Sequence, residues 1–414
     1  MSNQVPEGWS YNPLSLLADI DKDSLKTSTD PDYRFRYIDI ASVSTGQVKL
    51  PSEYIKFSDA PSRARRKLKQ GDVLMSTVRP NLKAFAYFNV SETDFVASTG
   101  FSVIRAKNGN DGRFIFNTIL GDDISSQIDS LVVGSNYPAI NSSDVKNLEV
   151  LTPTPAEQQK IAKILTSVDE VIEKTQSQID KLKDLKTGMM QELLTTGVGV
   201  DGKPHTEFKD SPVGRIPKTW KVVSLSSVAE RIGDGIHATP KYVDKSDYPF
   251  INGNNLKDGK IFVGSNTRFV SLEEYEKHRT ELSDSTILMS INGTIGNLAY
   301  YLNEPVVLGK SAAYISLAEG VSKSFIYYVL GSDYVREFYE LELTGTTIRN
   351  LSLKAIRATP IALPPAVEQD DIARVLSALD ENIKLLSSQL SQKMSLKKAL
   401  MQDLLTGKVR VAID

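Results

Sequence analysis

Shifted by 211 residues, this chain of 414 falls onto itself. Pro6, Trp9, Leu14 and Ser15 land on Pro217, Trp220, Leu225 and Ser226, Gly134 on Gly345, and Pro153 on Pro364. Residues 157–195 align with 368–406 without a gap, and 17 of 39 positions are identical. Ordinary composition gives about two or three matches, on a background of roughly 5–7% per position. Whatever the first half forms, the second half therefore forms again. Repeats of about 200 residues are too long and too few for a solenoid, which stacks units of roughly 20–50 residues.

Each half reads as a globular module followed by a long helix: module 1–152, helix 153–196, linker 197–215, module 216–363, helix 364–407 and tail 408–414. The linker carries Gly197, Gly199, Gly202, Pro204, Pro212 and Gly214, more breakers than a helix or a central strand tolerates. In the first helix Ile161, Leu165, Val168, Ile172, Ile179, Leu182, Met189 and Leu193, with Thr175 and Lys186, step by four and three, the a/d pattern of a coiled coil. The second repeats it through Ile372, Leu376, Leu379, Ile383, Leu386, Leu390, Leu400 and Leu404, interrupted by Lys393 and Lys397. Prolines open both helices and a Glu-Gln pair follows, where a carboxylate suits the free N–H groups and the dipole. About 40 residues make roughly 60 Å of helix. Polar seam residues can set register, and Gly188 marks a local close approach. Paired antiparallel within one chain, the helices make a spacer with a module at each end; the rival is a coil between two chains.

The modules read as α+β, strand-rich, each with a helix near its end around 112–130 and 322–340. Residues 56–87 hold eight basic side chains, among them Arg65, Arg66, Arg79 and Lys83, against Asp59 and Asp72. Within them, 71–83 reads as a strand running through Ser76 into a polar basic loop with Asn81. Arginine and asparagine make bidentate contacts to guanine and adenine edges, and lysine meets phosphate. A solvated charged face explains such a run equally well. In the second module the corresponding stretch carries Asn292, Thr294 and Asn297, and a further loop carries His237 and Lys241. Loops at Asn136-Tyr137 and at Thr346 to Arg349 occupy matched positions in the two copies.

The remaining sequence argues against chemistry on this chain. Without cysteine there is no disulfide, thiolate metal site or cysteine nucleophile, and three scattered histidines suggest no metal site. Gly309-Lys310-Ser311 lacks the upstream glycine and the following helix of a phosphate loop, and Glu207-Phe208-Lys209 lacks the acidic partner of a nuclease centre. No apolar run reaches the roughly 18–20 residues of a membrane span. With 49 basic and 51 acidic residues the net charge is −2, so any nucleic-acid surface is local. The expectation is a cytoplasmic protein built to bind.

The repeated Pro-x-x-Glu157-Gln158-x-x-Ile161-Ala162-x-x-Leu165-x-x-x-Asp169 and Pro365-x-x-Glu368-Gln369-x-x-Ile372-Ala373-x-x-Leu376-x-x-x-Asp380 carry a family likeness, as do the helix ends at 190–195 and 401–406, the openings Pro6/Trp9 and Pro217/Trp220, and the stretch 71–76. Over essentially the whole chain this design resembles the specificity (HsdS) subunit of type I restriction–modification systems. The second module departs from it, with Asp284-Ser-Thr-Ile287 in place of the Gly-Asp of that stretch. The resemblance implies two target recognition domains, each reading half of a split site in double-stranded DNA, on a helical spacer that docks methylation (HsdM) subunits. It implies no cofactor on this chain: S-adenosylmethionine belongs to the methylation subunits, ATP and magnesium to restriction (HsdR) subunits. No single base contact carries over. Two other readings stay open, the DNA reader of a methylation-only or phage-exclusion system, and a scaffold whose coil self-associates.

Overall fold

The structure, a computed structural model, describes residues 5–132, 138–199, 203–344 and 349–413. It divides into two compact units. Unit 1 is Met1–Ser177 with Ser388–Asp414, and unit 2 is Gln178–Ser387. Each contains one module and parts of both long helices, Pro155–Thr196 and Ala366–Leu405.

In unit 1 a four-stranded antiparallel sheet runs in the order Ala18–Ile20, Phe101–Ala106, Asp72–Ser76, Phe85–Phe88. The Asp72–Ser76 strand is buried at all five positions, and its period-2 alternation shows why. Val73 and Met75 enter one core with the helix residues Phe114, Ile115 and Ile119. Leu74 faces the other way, into a core with Phe88, Phe95 and Phe101 under a second sheet. Unit 2 repeats the arrangement: Ile287 and Met289 of Thr286–Ser290 join the helix-side core, and Leu288 the opposite one. A strand covered on both faces reads as a continuous apolar run, as both do.

The single helices expected around 112–130 and 322–340 are each two. Gly112–Leu120 gives way to Asp122–Leu131 at Gly121, whose backbone is extended, and Lys323–Leu330 gives way to Asp333–Glu342 at Gly331-Ser332. The linker is folded as well. Phe208–Ser211 pairs with Gly214–Pro217 in a hairpin, and Lys209 Nζ donates to the carbonyls of Trp220 and Lys218.

The helices pair antiparallel within each unit. In unit 1, Ile161 and Leu165 share a core with Leu404 and Leu400, Thr175 accepts from Lys393 Nζ at 2.9 Å, and Lys397 meets Asp169 at 2.6 Å. In unit 2, Leu193 and Leu194 share a core with Ile372 and Leu376, and Lys186 meets Asp380 at 2.6 Å. The polar seam residues are thus partnered across the pair. Gly188 makes no close approach, since a Cβ there would meet nothing within 4 Å.

The repeated Glu-Gln pair ties each helix start to its module. Gln158 accepts from the Asp111 N–H and donates to the Pro153 carbonyl; Gln369 does the same with Ser322 and Pro364. Glu157 and Glu368 accept from the indole N–H of Trp9 and Trp220. Each carboxylate then takes a different second partner. For Glu157 it is Arg410 of the C-terminal tail, at 2.6 and 2.9 Å; for Glu368 it is the linker, through His205 Nε2 at 2.8 Å and the N–H groups of Val198 and Gly199. Gly197 has φ +72°, and a Cβ on it would strike Glu368 and Trp220, so glycine is required there.

Candidate nucleic-acid interface

Strand directions bring most of the described candidate loops to one edge of the main sheet in each module. In unit 1, Asp72–Ser76 ends there and Phe85–Phe88 begins there, with the turn before Phe101 beside them. Backbone bonds then lace the loop after Ser76 to its neighbours: Thr77 N to Gly100 O, Arg79 N to Pro138 O, and Ile140 N to Thr77 O. Ser76 itself is buried, its hydroxyl donating to the Val78 carbonyl at 2.7 Å. Arg79 and Asn81 stand exposed on a short 3-10 turn, Pro80–Leu82, bracketed by left-handed residues, Arg79 at φ 49° and Lys83 at φ 50°. The Lys83 ammonium is half-buried and donates to the Leu120 carbonyl at 3.0 Å, closing the end of helix Gly112–Leu120.

The basic run behind this loop divides by environment. Arg65 lies over the Phe57 ring at 4.7 Å and donates to the Ala64 carbonyl. Arg66 turns inward to Asp21 at 3.0 Å and to Ser24. Asp21, in a left-handed backbone, also accepts from the Val103 N–H and the Ser142 hydroxyl, so one carboxylate joins a strand end, the basic strand and the start of helix Ser142–Lys146. Deeper still, fully buried Asp72 takes two hydrogen bonds from Arg105, which reaches Asp23 as well. Hydrogen bonding to Arg105 holds the Asp23 carboxyl below its ordinary value, and Asp72 raises the Arg105 guanidinium.

Unit 2 places its counterparts alike, with different chemistry. Ser290 closes the following loop by donating to the Thr294 carbonyl and accepting from the Asn297 N–H. Asn292 bridges to Asn350, just as Val78 bridges to Ala139 in unit 1. Thr294 is exposed; Asn292 and Asn297 are half-buried. Beyond Ala229–Asp234, Ile236 bridges to Gly309 and exposed His237 bonds Asp234 at 2.8 Å. Lys241 is exposed, with its backbone N–H on Glu274. Arg349 pairs with Glu340 at 2.9 Å on the surface. Asn136, Tyr137 and Thr346 lie outside the described residues. Sequence reasoning passed over Leu82, 65% exposed at the tip of the unit 1 turn; the signal was a leucine inside an otherwise polar loop.

The arrangement is a pair of loop edges offering arginine, asparagine, threonine and lysine groups, suited to hydrogen bonding with base edges and phosphates. Among the described residues no group of three or more His, Asp or Glu could hold a metal ion, and no helix is long and apolar enough to cross a membrane.

Comparison with known proteins agrees with the duplication. The type I restriction modification DNA specificity domain matches residues 6–184 and again 217–395. The MjaVIII type I restriction enzyme specificity subunit of Methanocaldococcus jannaschii is 29% identical over 294 residues, 69% of this chain and 68% of that one. The MjaIX specificity subunit of the same organism is 22% identical over 432 residues, 99% of this chain and 95% of that one. A chain solved in work on complex assembly and conformational transition of the type I restriction–modification system superposes with a TM-score of 0.60 at 23% identity, over 98% of this chain and 100% of that one.

Proposed function

The chain belongs to the type I restriction–modification DNA specificity family, and on that premise we propose that it is the subunit that chooses the DNA sequence, each module reading one half of a bipartite site. The observation that carries this is the repetition of one loop edge on one sheet in both units, with different side chains in each. Like scaffolds with unlike loops read two unlike half-sites, and half-sites on one face of a duplex recur about every 34 Å.

Methylation subunits dock on this chain and bring S-adenosylmethionine to an adenine in the site; restriction subunits add ATP, magnesium and cleavage. The chain itself supplies sequence choice and no catalytic group, and it works in the cytoplasm. The Asp21–Arg66 pair engages one arginine of the basic run, while Arg79 and Asn81 stand exposed at the edge.

Methylome sequencing of cells with and without the chain tests this. The expected result is loss of one bipartite N6-methyladenine motif when the chain is removed. An unchanged methylome, with the purified chain binding proteins but no DNA in the presence of its methylation partners, would leave the scaffold reading in its place.

A further inference from the structure

The 79–83 turn of unit 1 holds out one apolar side chain among polar ones. A single exposed leucine ordinarily needs no explanation, but here the backbone is held in an unfavourable form to present it. Arg79 and Lys83 both adopt the left-handed region that L side chains rarely enter. Both ends are pinned: Arg79 N donates to the Pro138 carbonyl at 2.7 Å, Lys83 O accepts from the Thr45 hydroxyl at 2.8 Å, and Lys83 Nζ is fixed on Leu120. Pro80, the first residue of the turn, is buried. A side chain on so fixed a turn loses little freedom on binding. The matching loop of unit 2 is built otherwise. It bends on Gly293 and Gly296, at φ 73° and 86°, and its apolar residue, Ile295, is half-buried.

Resting on the reading of the loop edge as a DNA surface, we infer that Leu82 is a specificity-determining residue, contacting the C5 methyl group of a thymine in the half-site read by the first module. Among the four bases only thymine shows a methyl group in the major groove, and its match is an apolar side chain. Cytosine carries only a hydrogen at the same C5 position and so offers the isobutyl group no methyl to pack against. Arg79 and Asn81, which precede Leu82 on the same turn, are of the types that pair bidentately with purine edges in that same groove.

The test uses the chain assembled with its methylation partners and duplexes carrying its bipartite site, each thymine replaced in turn by deoxyuridine. One replacement, within one half-site, should weaken binding about three- to fivefold, the effect of one buried methyl group. The Leu82→Ala complex should bind the thymine and deoxyuridine duplexes alike, with unchanged thermal unfolding because the side chain is exposed. The inference is overturned if no thymine responds, or if Leu82→Ala discriminates as the parent does. It is also overturned if the substitution changes only the bending of the DNA, which would make Leu82 a wedge. A complex that binds no sequence selectively brings down the underlying reading instead, so the two failures are distinct.

Discussion

Glu157 shows how much one residue can govern at a distance. Burial alone would raise its carboxyl, but hydrogen bonds from Arg410, Trp9 and Thr154 outweigh burial and hold it below the ordinary glutamate value. A lowered folded value means that the ionised group stabilises fully above the ordinary range and that this contribution drains as pH falls through the lower value. Arg410→Ala should therefore cost about 2 kcal/mol at neutral pH, the scale of a charge-assisted hydrogen bond left unmade. That cost should shrink as pH falls through the Glu157 value, because protonation removes the pair from the parent while the variant, its carboxyl raised by less-opposed burial, has less stability to lose there. Calorimetric melting between pH 3 and 7 checks both, and a variant with the parent's acid limb would refute the assignment. At this scale the sequence was half legible. Arg79 and Asn81 are as exposed as their polar setting suggests. The engagement of Arg66 and Lys83 could not be read, because their partners, Asp21 and Leu120, stand 45 and 37 positions away along the chain.

Among elements, the long helices were the most legible, because a seam repeated in one phase leaves little choice of face. Every polar seam position named from the sequence is at least half-buried and partnered. The copies differ at one layer. Thr175 and Lys393 in unit 1 correspond by the 211-residue offset to Leu386 and Leu182 in unit 2, so one unit carries a polar layer where the other carries leucines. A polar layer at one level disfavours the shifted pairing that would set it against leucine. The splits at Gly121 and Gly331 were less legible, since one glycine in an apolar-periodic run is compatible with a continuous helix. Gly188 gives a direct test. It is exposed, its surroundings would admit a methyl group, and its counterpart in the other helix is Ala399. Gly188→Ala should stabilise unit 2 by about 0.5–1 kcal/mol, through helix propensity and a less free unfolded chain. A lowered melting temperature would reveal a use for glycine that the packing does not show.

For the whole molecule, a net charge of −2 sets the terms of any meeting with DNA. Attraction comes from local groups such as Arg63, which is exposed, while much of the rest of the basic run of the first module is engaged by Asp21, Asp23 and backbone carbonyls. The isolated chain should therefore bind its own site weakly at physiological salt. Binding should tighten by tenfold or more when methylation subunits add their own phosphate contacts, with a steeper dependence on salt. Fluorescence anisotropy at several salt concentrations, with and without those subunits, distinguishes the cases; equal affinity in both would sink the idea. The duplication was legible from the start, whereas the closing of unit 1 by the chain's far end was not. That closure rests on Arg410, which has no like residue at the corresponding place in the linker.

The division of the chain also orders its birth. Unit 2 is one continuous stretch, Gln178–Ser387, but unit 1 needs Leu400, Leu404 and Arg410 to complete the core begun by Trp9 and Ile161. On a ribosome adding roughly 5–20 residues per second, the module made first waits on the order of ten to fifty seconds for its last partners. The second module can finish in the meantime. The first module is thus the last to become native, and a chain truncated after Ser387 would hold a completed second module and an unfinished first.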